Sequence, residues 1–228
     1  VQLAETVLAA LGLALSRWAG KGHILIDVES HGREQLFDDL DASQTVGWFT
    51  SLFPVLLKSG DDEDPGDSLR EAKERIRGAP NGGIGYGLLR YMREDPEGAS
   101  RLGRLPNAEV VFNCTTQTAF SPGLFKVAAE QTGPSRSLGW VRSHLLEFFG
   151  SVSDGRLSML LIYSANIHRP STIQMLADEI ITRLKSFVAN CKSQEVRLYT
   201  PSDFPAVKLN QSELDALVAE IGKFSGNQ

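Results

Sequence analysis

The feature that most constrains this chain is the irregular order in which extended and helical patterns follow one another. Branched, extended runs occupy 23–29, 45–57, 108–117 and 155–166. "HILIDVE", "AEVVFNCTTQ" and "GRLSMLLIYSAN" read as strands, bounded by polar or glycine-rich positions. Helical patterns lie between and around them. Residues 4–19 are rich in Ala and Leu and stop at Gly20. Ser68 is placed to cap "LREAKERIRGAP", with Pro80 just past its end. Pro170 and Ser171 open a longer helix whose Ile173, Leu176, Ile180, Leu184 and Phe187 form one apolar stripe. Asn210 is placed to cap a last short helix, "QSELDALVAEI". A chain ordered in this way folds as a mixed α/β (α+β) layered structure rather than as a regular βαβ array.

The connections carry their own signals. In "TVGWFTSLFPVLL" (45–57), Pro54 restricts the run to a sheet edge, a bulge or a strand end. "SGDDEDPGDS" is a solvent loop, and "NGGIGYG" is a glycine-rich turn leading into a helical "LLRYM". Residues 118–137 are irregular, and "YTPSDFPAVKL" (199–209) is an extended, proline-bearing segment.

Composition excludes several classes of function. With 228 residues and 42% hydrophobic content, the chain can bury a substantial core. A net charge of -5 gives no broad pull toward nucleic acid or an anionic membrane. No stretch reaches the ~20 apolar residues of a membrane span. The opening "VQLAETVLAALGLALSRWAG" carries Glu5 and Arg17 and reads as a buried helix, not as a secretion leader. The absence of an initial methionine suggests a piece of something longer. Cys114 and Cys191 lie far apart with no CxxC or metal-ligand spacing. They fit a reduced, cytoplasmic setting as small apolar fillers.

The chemistry-bearing motifs narrow further. "GGIGYG" follows a helix, not a strand, so it lacks the context of a phosphate-binding loop. His23, His31, His144 and His168 form neither HExxH nor an HxH pair, so no metal is expected. There is no GxSxG elbow. "ESHGRE" (29–34) stands at a strand end, with Asp27 and Glu29 on one face and Val28 on the other. A carboxylate held there could serve as a general acid or base. The other reading is a polar turn in which Arg33 pairs with Glu29 or Glu34. Spacing alone favours the turn.

Four ordered motifs change that balance. "VESHGRE" with "TVGWFTSLFPVLL", then "PNGGIGYGLLRY", then "VVFNCTTQ", resemble in sequence the motifs of epimerization domains of non-ribosomal peptide synthetases. These domains belong to the condensation-domain superfamily and share the chloramphenicol acetyltransferase-like fold. The ending "YTPSDFPAVKLNQSELDALV" resembles their C-terminal segment. The resemblance implies a C-terminal lobe over 1–198 and an extended segment with a linker helix over 199–228. The partner lobe, with its "HHxxxDG" motif, has no counterpart in this chain.

What the resemblance implies is an isomerase acting at an α-carbon. The substrate is an aminoacyl or peptidyl thioester on the 4'-phosphopantetheine arm of a peptidyl carrier protein. No cofactor is bound directly. The expected partners are the N-terminal lobe, the carrier domain and a downstream synthetase domain. Glu29 matches the acid–base glutamate of the family motif. His31, Arg33, Trp48, Thr50, Tyr86, Asn113 and Gln117 match positions that support it or line the tunnel. Gly85 and Gly87 flank Tyr86 as positions of close backbone approach. Taken by themselves, Trp48 and Phe49 are expected in the core. Asn113 must satisfy its amide, and pinning a neighbouring loop would do so. Two departures stand out: Ser30 replaces a glycine, where it could narrow the site, and "NCTTQTA" lacks the family's Tyr. The alternatives are a condensation lobe, which forms peptide bonds, and a non-catalytic carrier-docking scaffold.

Overall fold

A computed structural model describes residues 2–58, 64–92, 101–116, 130, 133–134, 136–137, 139–153, 155–193 and 198–225. Side chains at 116, 191–193 and 222–225 lie outside that description. Helix α1 (Leu3–Ala19) has Glu5 in its first turn and ends on Gly20 in the left-handed region, φ 61°. Strand β1 (His23–Ser30) follows after a three-residue turn. Strand β2 (Ser51–Lys58) pairs antiparallel with it, placing Asp27 opposite Pro54 and Glu29 opposite Leu52. β2 is shorter than the 45–57 run expected, because residues 45–50 leave the ladder as a loop. Pro54 sits on a sheet edge, the environment its missing N–H requires.

Helix α2 (Pro65–Arg77) starts earlier than expected. Asp64, not Ser68, caps it, accepting a hydrogen bond from the Gly66 N–H at 3.0 Å. Ser68 is buried inside the first turn. The expected surface pair is present, with Arg75 Nε 2.8 Å from Glu71 Oε1. Short helical turns cover Pro80–Gly83, Gly85–Gly87 and Leu88–Met92.

Strand β3 (Val110–Thr116) lies parallel to β1, and β4 (Leu146–Ser153) lies parallel to β3. β5 (Arg156–Tyr163) closes the hairpin antiparallel to β4. The sheet order is β2-β1-β3-β4-β5. β4 is the element missed in the sequence. Its signal was the Asp-Gly pair at 154–155, since Gly155 adopts φ 71° between two paired strands. Helix α3 (Pro170–Ser193) and helix α4 (Gln211–Ser225) complete the chain. Asn210 caps α4 as expected: its Oδ1 accepts from the Glu213 N–H at 3.0 Å, and Glu213 Oε2 accepts from the Asn210 N–H at 2.8 Å.

One face of the sheet is covered by helices. Ile26, Val28, Phe53, Val55, Phe112 and Phe148 point into that layer, against Leu8 and Leu11 of α1 and Ile180 and Phe187 of α3. Phe112 and Phe148 stack with centroids 5.5 Å apart. Strand alternation then turns Asp27, Glu29, Val111, Asn113, Glu147 and Phe149 to the other face. Cys114 returns to the helix side and packs against the core, where burial pushes its thiol up. Cys191 lies outside the described side chains.

The segment after α3 is tied down by charge. Lys73, 1% exposed, donates to the Leu198 carbonyl at 3.0 Å and to Asp203 Oδ2. Arg77 bridges Glu5 at 2.6 Å and Asp203 at 2.8 Å. Partial burial by itself raises Asp203. Hydrogen bonds from Lys73, the Thr200 N–H and Arg77 overcome that effect and hold its carboxyl at about 2. Among the described residues, no helix is long and apolar enough to cross a membrane.

Candidate functional site

The face of the sheet away from the helices carries the candidate site. Glu29, at the end of β1, is half-buried, and Asn113 of β3 donates its side-chain amide to Glu29 Oε2. Parallel pairing of β1 with β3 puts the two side chains side by side. Asn113 therefore satisfies its amide on the catalytic candidate itself, not on a loop. On β4 and β5 the same rung continues through Phe149 and Leu160.

The rest of "ESHGRE" shapes the loop beside that rung. Gly32 has φ 66°, and a Cβ there would lie 1.6 Å from the Phe49 carbonyl oxygen. Arg33 pairs with neither Glu29 nor Glu34. It donates to the carbonyls of Thr45 at 3.0 Å and Gly47 at 3.1 Å, and its guanidinium lies 4.4 Å from the Phe49 ring centroid. The two motifs thus form one clamp, which explains why residues 45–50 leave the strand. Glu34 packs on Gly82, where φ is 60° and a Cβ would lie 2.6 Å from its carboxylate. By contrast, a Cβ on Gly85 or Gly87 would meet nothing within 4 Å, so close approach belongs to "NGG", not to "GYG".

The remaining expected residues divide. His31 is exposed; its Nδ1 accepts the Arg33 N–H at 2.9 Å and its Nε2 lies 3.5 Å from Glu34. It supports the loop. Trp48 is 89% exposed, against the expectation of a core position, because its loop runs outside the layers. Phe49 is half-buried beneath Arg33. Thr50 and Tyr86 line a cavity of about 430 Å³, together with Asp27, Leu52, Arg90 and Asn107. Gln117 lies outside the described residues. Ser30 does not narrow the site: alternation turns it from Glu29's face, and its hydroxyl donates to Glu34 at 3.2 Å. The same alternation puts Cys114, where the family has Tyr, on the helix side.

Several polar residues of this face were not singled out in the sequence. Arg90 donates to the Tyr86 hydroxyl and to Asn107. Glu147 takes a two-pronged bond from Arg136, 2.8 Å on each oxygen, and another from Arg142 at 2.8 Å. The Arg136 bonds, aided by Arg142, hold its carboxyl below the usual range despite burial. His144 Nε2 lies 2.9 Å from Asp27 Oδ2. Asp27 and His144 are 117 residues apart, so no spacing rule could pair them. Among the described residues, no cluster of His, Cys, Asp and Glu could hold a metal.

A family description, "Condensation domain", matches residues 1–210. The chain is 39% identical over 223 residues to a component of the linear gramicidin synthase of Brevibacillus parabrevis, covering 96% of this chain and 3% of that protein. It is 38% identical over 229 residues to chondramide synthase cmdD of Chondromyces crocatus, covering 97% of this chain and 6% of that one. It spans a small fraction of these relatives. Among solved structures, the epimerization domain from the third module of tyrocidine synthetase B superposes with TM-score 0.76 at 31% identity, over 85% of this chain and 43% of that one. A condensation domain mediating chain release from the enacyloxin polyketide synthase superposes with TM-score 0.55 at 15% identity, over 80% of this chain and 35% of that one, a likeness of fold alone.

Proposed function

Since this chain belongs to the condensation-domain family, we propose that it is the C-terminal lobe of a non-ribosomal peptide synthetase epimerization domain. In this reading it inverts the α-carbon of an aminoacyl or peptidyl thioester carried on a phosphopantetheine arm. The lobe proper runs over 1–198, and 199–228 leads toward the next synthetase domain. Its partners are a carrier protein and an N-terminal lobe supplying the opposite wall.

The observation that carries the reading is the Asn113–Glu29 hydrogen bond on the sheet face opposite α1 and α3. A thioester makes its α-hydrogen acidic. Inversion needs one group to take that proton and another to return a proton from the opposite side. Glu29 is a half-buried carboxylate held in one orientation by an amide, so a proton can pass between it and a carbon above the sheet. When Glu29 takes the α-proton, the electron pair moves onto the thioester carbonyl as an enolate. An acid on the facing lobe then protonates the other face of the α-carbon. In the reverse direction the two groups exchange roles. The likeness to an epimerization domain at 31% identity supports this reading over condensation.

The test is chiral analysis of a loaded carrier incubated with the full-length protein in D₂O. The expected result is a D/L mixture with deuterium at the α-carbon, abolished by Glu29→Gln. A lengthened peptide without α-exchange would mean condensation, and carrier binding without either would mean a docking scaffold.

A further inference from the structure

One buried ionisable pair on the site face has no part in that proton transfer. His144 is only 9% exposed, and its Nε2 lies 2.9 Å from Asp27 Oδ2. Ser143 Oγ occupies the other ring nitrogen, Nδ1, at 3.0 Å. Because it faces a carboxylate, Nε2 is the donor to Asp27, whichever role the Ser143 hydroxyl takes at Nδ1. The neighbouring acid, Glu147, is already neutralised by Arg136 and Arg142.

Asp27 is placed to meet a ligand. It stands two residues before Glu29 on the same face, about 6.6 Å along the strand. It lines the cavity of about 430 Å³, as does Leu52, the cross-strand partner of Glu29. A carboxylate offers roughly four acceptor positions, and His144 uses one. Arg90 lines the same cavity and its charge is felt at Asp27, but its own donors are taken by Tyr86 and Asn107 and not by the Asp27 carboxylate. Glu29 itself does not line that cavity; Asp27 places a carboxylate in it, on Glu29's face and two residues away along β1.

We propose that Asp27 is the subsite for the α-ammonium group of an aminoacyl thioester, with His144 as its positioning residue. The inference rests on the epimerization reading and names its substrate class. The α-nitrogen is one bond from the carbon that Glu29 deprotonates, and a charge-assisted N–H···O bond adds about 2.8 Å of reach. Directed along β1, that nitrogen comes within bonding distance of Asp27. A protonated nitrogen also withdraws electrons from the α-carbon, which eases loss of the α-proton. Acylating the nitrogen, as in a peptidyl thioester, removes the charge and the reason for the anion. The site accordingly selects free aminoacyl groups over N-acylated ones.

The experiment compares leucyl-pantetheine with N-acetyl-leucyl-pantetheine on the full-length protein. Affinity is read by calorimetry and α-exchange by deuterium incorporation. The unaltered protein should bind the free amine at least about tenfold more tightly, the scale of one charge-assisted bond. Asp27→Asn should erase that preference by weakening only the free amine. His144→Gln should raise KM for the free amine more than it lowers kcat. Equal or tighter binding of the N-acetyl compound overturns the proposal, as does an equal loss for both compounds in Asp27→Asn. Glu29→Gln should stop exchange yet keep the binding preference. Exchange that survives Glu29→Gln would sink the epimerization reading, while the affinities still judge Asp27 on their own.

Discussion

Asn113 on β3 donates its side-chain amide to the carboxylate of Glu29 on β1, joining two residues 84 positions apart in the chain. Neither strand alone orients that carboxylate. The parallel pairing of β1 with β3 does. Replacing Asn113 with Leu keeps the branched shape of the side chain and removes the donor. We expect inversion to slow by about ten- to a hundredfold, the range of a lost hydrogen bond to a charged group. The melting temperature should stay near that of the unaltered protein. An unchanged rate would separate Asn113 from the chemistry.

Two glycines should respond in opposite directions. Gly32→Ala drives a Cβ into the Phe49 carbonyl at a positive φ and should cost about 2–4 kcal/mol in urea unfolding. Gly85→Ala meets open space and should be neutral or stabilise by up to about 1 kcal/mol. Equal effects at both positions would refute the clamp between the two motifs.

Arg33 holds the 45–49 loop through two carbonyls and the face of Phe49. Lysine cannot reproduce a planar fork that both bonds and stacks. Arg33→Lys should expose the loop to limited proteolysis while global unfolding stays within about 1 kcal/mol, because the loop lies outside the core. Protection equal to that of the unaltered chain would count against this assignment.

The Lys73–Asp203–Arg77–Glu5 network makes an acid-stability prediction. Asp203 titrates at about 2 in the folded chain, below its ordinary 3.8. A depressed carboxylate stabilises the fold above its unfolded value and loses that contribution as pH falls. Stability should therefore decline between about pH 4 and pH 2, by on the order of 1–2 kcal/mol from this group after solvent screening. Lys73→Met removes one of the two cations on Asp203, which Arg77 still pairs, and should cost about 1–3 kcal/mol at neutral pH. A variant as stable as the parent, with an unchanged acid limb, would contradict the network.

How much of this was legible in the sequence follows from the range of each force. Helix α1, the stripe of α3 and the Asn210 cap were readable because propensity, periodicity and capping act within a few residues. So was the sharing of one face by Asp27 and Glu29, which strand alternation dictates. The ordered motifs around Glu29, Tyr86 and Asn113 pointed to a family, and that family model matches residues 1–210. Strand β4 was missed because its clearest cue, the Asp-Gly pair at 154–155, is a turn signal rather than a strand pattern. Trp48 was misjudged because hydrophobicity predicts burial only where a second layer exists to cover it. Tertiary structure alone decided which long-range partners met: Asn113 with Glu29, His144 with Asp27, Lys73 with Asp203. Those contacts depend on strand order and helix packing, which fix distance in space, whereas a linear pattern fixes only distance along the chain.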